Sequence, residues 1–254
     1  MTRFGIGAAL MAAFAVTNAA DAGPNLYVSA GEQPLVDDAT QVVIMRKGTR
    51  TVVSVMPSYH GPDDPFAMVF PVPAAVQASD IKVVDPLLFN AVDRLAAPRL
   101  VELWEQDPCR SPADDAKGRA NKASATDADK AGNKSVSDPG VTVDARALAG
   151  AYQIVVLSAK DAAGLDAWLK REKLQLPAGA DALLESYIDR GMKLVVAKVD
   201  PKRVKLDGEH VVLPPLRVHY DSEQLTLPIR VGLANSSGTQ DLVINILSPR
   251  QRFA

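Results

Sequence analysis

LRVHYDSEQLTLPIRVGLANSSGTQDLVINIL, residues Leu216 to Leu247, decides how the chain is read. Apolar residues alternate with others in three runs: Leu216, Val218 and Tyr220; Leu225, Leu227, Ile229, Val231 and Leu233; and Leu242, Ile244 and Ile246. A period of two places successive side chains on opposite faces, the mark of a strand with one face buried. The connectors Asp221–Gln224 and Asn235–Gln240 are rich in turn-forming residues. The stretch therefore predicts a three-stranded antiparallel meander. Pro228 strains the middle run, because proline has no N–H for a ladder; that strand must bulge there or form a sheet edge. An edge at Leu225–Leu233 would be open to a protein partner.

Upstream of the meander, Lys202–Leu213 predicts a charged loop or short hairpin around Asp207-Gly208, and Met192–Val199 a strand closed by Asp200-Pro201. Before it come a strongly apolar strand, Tyr152–Leu157, and two helices. The first helix opens on Ser158 and Asp161 at capping-box spacing, buries Leu165, Trp168 and Leu169, and is broken by Pro177. The second carries Leu183, Leu184, Tyr187 and Ile188 on one side, with Gly191 as its C-terminal cap. Order in this half resumes at Val141, where Val141 and Val143 alternate.

The first half predicts a lead-in over Gly23–Thr40 with a short extended piece at Leu26–Val28, then a hairpin of Gln41–Met45 and Thr51–Tyr59. Phe66–Phe70 follows as a strand ended by Pro71 and Pro73; its unbroken apolar run suits burial on both faces better than one face left for a partner. A helix capped by Asp85-Pro86 presents Leu87, Leu88, Ala91, Val92 and Leu95, and Pro98 ends it. Arg99–Glu105 fits a strand or a short helix, with Trp104 as core or as a lid on the sheet.

Arg110–Gly140 is made of Ala, Asp, Lys, Ser, Asn and Gly with almost no large apolar side chain, and so predicts a disordered linker. It separates a β-rich half, residues 23–109, from an α+β half, residues 141–254. The first half has too few helices to cover its own sheet, so the two are expected to pack as one composite domain. The fold class is α+β: a mainly antiparallel sheet with about three helices packed on one face of it.

The N-terminus predicts export. Arg3 precedes an uncharged run, Phe4–Val16, and Ala20-Asp21-Ala22 forms an A-x-A cleavage pattern, so residues 1–22 read as a signal peptide. The run is about half the roughly 20 residues needed to span a bilayer, and no later segment is apolar enough. The expected location is periplasmic or extracellular. A net charge of −2 with both signs interspersed excludes a nucleic-acid stripe.

No residue pattern carries a catalytic assignment. Cys109, the single cysteine, follows Glu105-Gln106-Asp107-Pro108, and acidic neighbours raise a thiol pKa rather than activate it. His60, His210 and His219 have no metal-ligand spacing. Ser54, Ser58 and Ser158 lack a base partner in sequence, and no nucleophile elbow, phosphate loop or dinucleotide fingerprint occurs. The acid pairs Asp37-Asp38, Asp63-Asp64 and Glu102 with Glu105 lie where turns or polar faces need no function. Aromatic content is 5%, which disfavours a stacking platform. No catalytic, cofactor or metal residue is therefore assigned. The leading expectation is a non-enzymatic binding or scaffolding module of the cell envelope. The alternative is an extracytoplasmic hydrolase using dispersed carboxylates or His60 and His219.

Several motifs together resemble a family. They are Pro57-Ser58-Tyr59-His60-Gly61-Pro62, Phe66-Ala67-Met68-Val69-Phe70-Pro71-Val72-Pro73, Ala97-Pro98-Arg99-Leu100 and Trp104-Glu105-Gln106-Asp107-Pro108-Cys109. Gly164–Leu169, His219-Tyr220-Asp221-Ser222, Leu227–Leu233 and Asn235–Leu242 complete the set. The chain resembles the exported bacterial proteins grouped as domain of unknown function 2330, over nearly all of it outside the Arg110–Gly140 linker. The resemblance implies an envelope-associated protein with no accepted catalytic residues. It also implies a shortened member: others continue past the position matching Gln251-Arg252-Phe253 and carry further cysteines, which leaves Cys109 without a partner.

Overall fold

A computed structural model of the chain describes residues 23–31, 35–61, 64–98, 136–138, 140–199, 204–207, 210–236, 238 and 240–249. The expected signal peptide, Trp104, Cys109, and the expected linker apart from 136–138 and Gly140 lie outside them. The fold is α+β, built from two mainly antiparallel sheets stacked face to face.

The first sheet holds β1 (Leu26–Ser29), β4 (Phe66–Val72), β9 (Lys193–Val199), β8 (Tyr152–Ala159), β7 (Val141–Ala149) and β6 (Val136–Asp138), in that spatial order and antiparallel throughout. In the second, β3 (Arg50–His60) is central, with β2 (Val36–Lys47) along one side. Along its other side lie β12 (Leu216–Asp221) and then β11 (His210–Val212), which are flanked by β5 (Ile81–Val83) and β10 (Lys205–Asp207). β13 (Asp241–Leu247) completes this sheet by pairing parallel to β2.

Alternation decides which side chains meet between the sheets. Val42, Ile44, Val53, Val55, Leu216 and Val218 of the second sheet pack on Met68, Phe70, Ile154, Val156, Val195 and Ala197 of the first. The odd-numbered residues of β4 and their neighbours face outward, where α2 (Ala162–Arg171) and α3 (Ala180–Ile188) cover them with Leu165, Trp168, Leu169, Leu184 and Tyr187. α1 (Leu87–Ala96) sits on the opposite outer face, placing Phe89 and Val92 on Val43. The helices thus pack on two faces rather than one. β4 is buried along its whole length, as its unbroken apolar run required. It continues through Pro71 to Val72 because β1 pairs only with Phe66–Val69, so the missing N–H falls beyond that ladder.

The meander does not form. Its first run is β12 and its last is β13, but β13 lies against β2, away from β12. The middle run is no strand: Leu225–Ile229 is irregular and Arg230–Asn235 is a 3-10 helix. Leu225 and Leu227 dip into the core between the sheets, whereas Val231 packs into the helix-covered core, so the segment crosses from one layer to the other. A straight strand cannot serve two cores, and Pro228 removes one of the N–H groups that would hold it straight. No strand edge therefore exists at Leu225–Leu233.

Smaller departures have local causes. α1 is turned about its axis relative to the predicted face: Phe89 is buried, and Leu87 and Leu95 are 65% and 67% exposed. Asp85 does cap it, accepting from Leu87 N at 2.9 Å. Asp161 rather than Ser158 caps α2, accepting from Gly164 N at 2.7 Å; Ser158 still belongs to β8, where its hydroxyl donates to Asp144. α2 ends at Arg171, before Pro177, where Lys173 takes a left-handed conformation (φ 61°) and Leu174 N returns to Leu169 O. Gly191 closes α3 at φ 73°, as predicted. Val136–Asp138, expected within the linker, pairs with β7.

Candidate functional site

Most sheet edges are short or covered. β5, β6 and β10 are three residues each. The edge of β1 is met by Asn235, whose Oδ1 accepts from Tyr27 N at 2.7 Å and whose Nδ2 donates to Tyr27 O at 3.1 Å. β13 differs. It pairs with β2 in unbroken register from Asp241 opposite Ala39 to Leu247 opposite Met45, and no strand lies along its other side among the described residues. From Leu242 to Leu247 it has no charge, no proline and no bulge, the devices by which exposed edges avoid pairing. Val243, Ile244, Ile246 and Leu247 are 45%, 41%, 38% and 37% exposed.

A groove of about 860 Å³ crosses from β13 over β2 to β3, walled by Ile244, Ile246, Leu247, Val52, Met45, Lys47 and Arg50. Arg46 also reaches it, but its guanidinium is committed to Thr51 Oγ1 (2.6 Å), Ser222 O (3.0 Å) and Glu223 O (2.8 Å). Lys47 and Arg50 lie directly opposite each other where β2 turns into β3, both exposed. Like charges facing across strands repel; on its other side Arg50 lies opposite Asp221 of β12. The groove therefore has an apolar floor and a cationic rim, and one of its walls is the strand that carries the open edge.

Of the residues singled out in the sequence, the strand register brings His210 opposite His60, and the others are scattered. His219 Nε2 lies 3.0 Å from Asp80 Oδ1 on the outer face of the second sheet. His219 pairs with Val52, eight residues along β3 from His60, which is about 26 Å at the rise of a strand. His210 sits on β11, one residue beyond the Val211–Tyr59 pair. The side chains of His60 and His210 are outside the described set. Ser54 is buried, and Ser158 donates to Asp144. Asp37 is no turn residue: it is 2% exposed within β2. Among the described residues no group of His, Cys, Asp or Glu is placed to hold a metal ion. No described helix is long and apolar enough to cross a membrane. A second concavity, about 570 Å³, is lined by Phe66, Leu148, Tyr152, Glu172 and Lys198, but its Lys198 ammonium is already paired with Glu172.

The β13 edge was hidden in the sequence because both an internal and an edge strand show the same alternation. The absence of lysine and proline from Leu242–Leu247 was a visible sign, yet it reads as a normal internal strand until the topology is known.

A sequence model of the family DUF2330, described as an uncharacterized protein conserved in bacteria, matches residues 18–254. No curated protein and no solved structure matches the chain.

Proposed function

We propose, from the premise that the chain belongs to this bacterial family of uncharacterized proteins, that it is an exported, non-enzymatic binding module of the cell envelope. Its partner is an extended segment of another envelope protein, added as a strand along β13. The open edge of Asp241–Leu247, uncharged from Leu242 onward, carries this reading. Backbone N–H and C=O groups of such an edge supply hydrogen bonds to any extended chain, and side-chain contacts then select among them. The selecting contacts are the apolar groove floor and the cationic pair Lys47 and Arg50, so the partner segment alternates apolar residues and carries an acid near its end. The Ala20-Asp21-Ala22 pattern supports the location.

The test places a photo-crosslinking side chain at position 246 and irradiates intact cells. One adduct is expected, mapping by mass spectrometry to an acidic, alternating stretch of an envelope protein. Adding Ile244→Lys should abolish it while leaving Tm unchanged, since residue 244 is already 41% exposed. Adducts only to the chain itself, or an adduct that survives Ile244→Lys, would overturn the proposal.

A further inference from the structure

Gly23 is the residue that follows the Ala20-Asp21-Ala22 cleavage pattern, and it is buried, as are Pro24 and Asn25. Its backbone is fixed against the 3-10 segment Arg230–Asn235. Gly232 N donates to Gly23 O at 2.9 Å, and a Cβ on Gly232 would fall 2.5 Å from Gly23 N. On its other side, a Cβ on Gly23 would fall 2.7 Å from Asp37 Oδ2 and 3.7 Å from Gln240 Oε1. The Gly23 nitrogen is bonded to that same Cα, which places it within about 5 Å of a carboxylate oxygen belonging to a residue only 2% exposed.

We propose that cleavage after Ala22 creates a structural group: the α-ammonium of Gly23, which pairs with buried Asp37 and completes the fold. The inference rests on the export reading above. Three features favour an ammonium over the amide of the uncleaved chain. First, the register of β2 on β3 shifts between Asp37 and Ala39, a bulge that turns Asp37 and Thr40 to the same inner face. Asp37 is thereby aimed at Gly23 instead of at solvent. Second, the neighbourhood is rich in oxygens. Thr40 Oγ1 donates to Asp37 Oδ1 at 3.2 Å and accepts from Asn25 Nδ2 at 3.3 Å. Gln240 Nε2 donates to Asp37 O at 3.3 Å. Third, the oxygens of those two amides, Asn25 Oδ1 and Gln240 Oε1, are buried without a donor. An amide N–H offers one proton and no net charge, whereas an ammonium offers three protons and a full positive charge. A buried carboxylate is stabilised by such a partner. Export cleavage would then finish the structure as well as release the chain.

The experiment reads the first residue of the protein isolated from the periplasm, then compares purified chains with defined starts. One begins at Gly23, one at Ala22, and one at Gly23 with its amine acetylated. The natural start is expected to be Gly23, and that chain should melt about 6–12 °C above the other two. Asp37→Asn should remove the difference, lowering the Gly23 chain to the level of the others. Equal melting of the three starts overturns the inference, and this comparison needs no substitution that might prevent folding. A periplasmic chain cut at another bond overturns this inference and leaves export standing. A chain retained in the cytoplasm with its leader overturns both.

Discussion

Asn235 substitutes for a strand that β1 lacks. Besides its two bonds to the Tyr27 backbone it donates to Leu35 O at 3.0 Å, so one amide meets three buried main-chain groups. Removing it strands an N–H and two carbonyls, at a cost of about 3 kcal/mol. Asn235→Ala is expected to lower Tm by about 6–12 °C. Asn235→Asp should be equally harmful, because a carboxylate accepts from Tyr27 N but faces two carbonyls with no proton to give. Thermal melts of the pair check this; an aspartate variant near wild type would show that the donated bonds are dispensable. Tyr152 is the matching case for pH. Its hydroxyl donates to Pro214 O at 2.6 Å, and burial, with the Tyr59 phenol adding to it, holds its ionisation far above the usual tyrosine range. The folded chain keeps this proton at a pH where the unfolded chain has lost it. Its contribution is therefore complete below about pH 10 and falls as pH rises past that value. Burial acts in the same direction on Tyr220, opposed by Arg46. Tyr152→Phe should cost about 1 kcal/mol at neutral pH and make the alkaline decline of stability shallower. Denaturant unfolding from pH 7 to 11 reads both effects; an unchanged alkaline slope would place that sensitivity elsewhere.

Elements were legible where one physical rule acted alone. β8, α2, α3 and β9 follow in the order that Tyr152–Leu157, the two apolar helix faces and Met192–Val199 announced. The burial of β4 on both faces was legible for the same reason: an unbroken apolar strand has no solvent side. The meander failed because alternation fixes which faces a strand presents, not which strand it lies beside. β12 and β13 have the right period, yet they are separated by β3 and β2 in the sheet. Leu225–Leu233 has the same period and is no strand at all, since its apolar residues divide between two cores. Pro228 was the one local warning. The α1 face was misjudged because Phe89, left off the predicted face, outweighs Leu87 and Leu95 in the area it buries. Of the candidate site, the composition of Leu242–Leu247 was plain in the sequence, but its being an edge depends on a parallel pairing to residues about 200 positions earlier.

At the scale of the molecule, both sheets are shared between the two ends of the chain. In the first, β1 and β4 come from before residue 99 and β6 to β9 from after residue 135, and the joint between them is the β4–β9 ladder from Phe66–Val199 to Val72–Lys193. In the second, β3 from the early part carries β11 and β12 from the late part, while β2 carries β13. The core between the sheets draws on both parts at every level, from Tyr27 and Val42 to Val195 and Tyr220. Separated, residues 23–109 would leave β4 open to solvent on the face that α2 and α3 cover, and residues 136–254 would leave β9 paired on one side only, to β8. Neither fragment keeps enough buried apolar area to offset its ordering entropy. Each fragment alone is therefore expected to show no cooperative thermal transition. Mixed or co-expressed, the two should form a one-to-one complex with a sharp transition and the circular dichroism of the intact chain. Size-exclusion chromatography with calorimetry decides it. A fragment of residues 136–254 that melts cooperatively by itself would mean that β6 to β9 with α2 and α3 is a self-sufficient unit, and that the β4–β9 ladder joins two domains rather than building one.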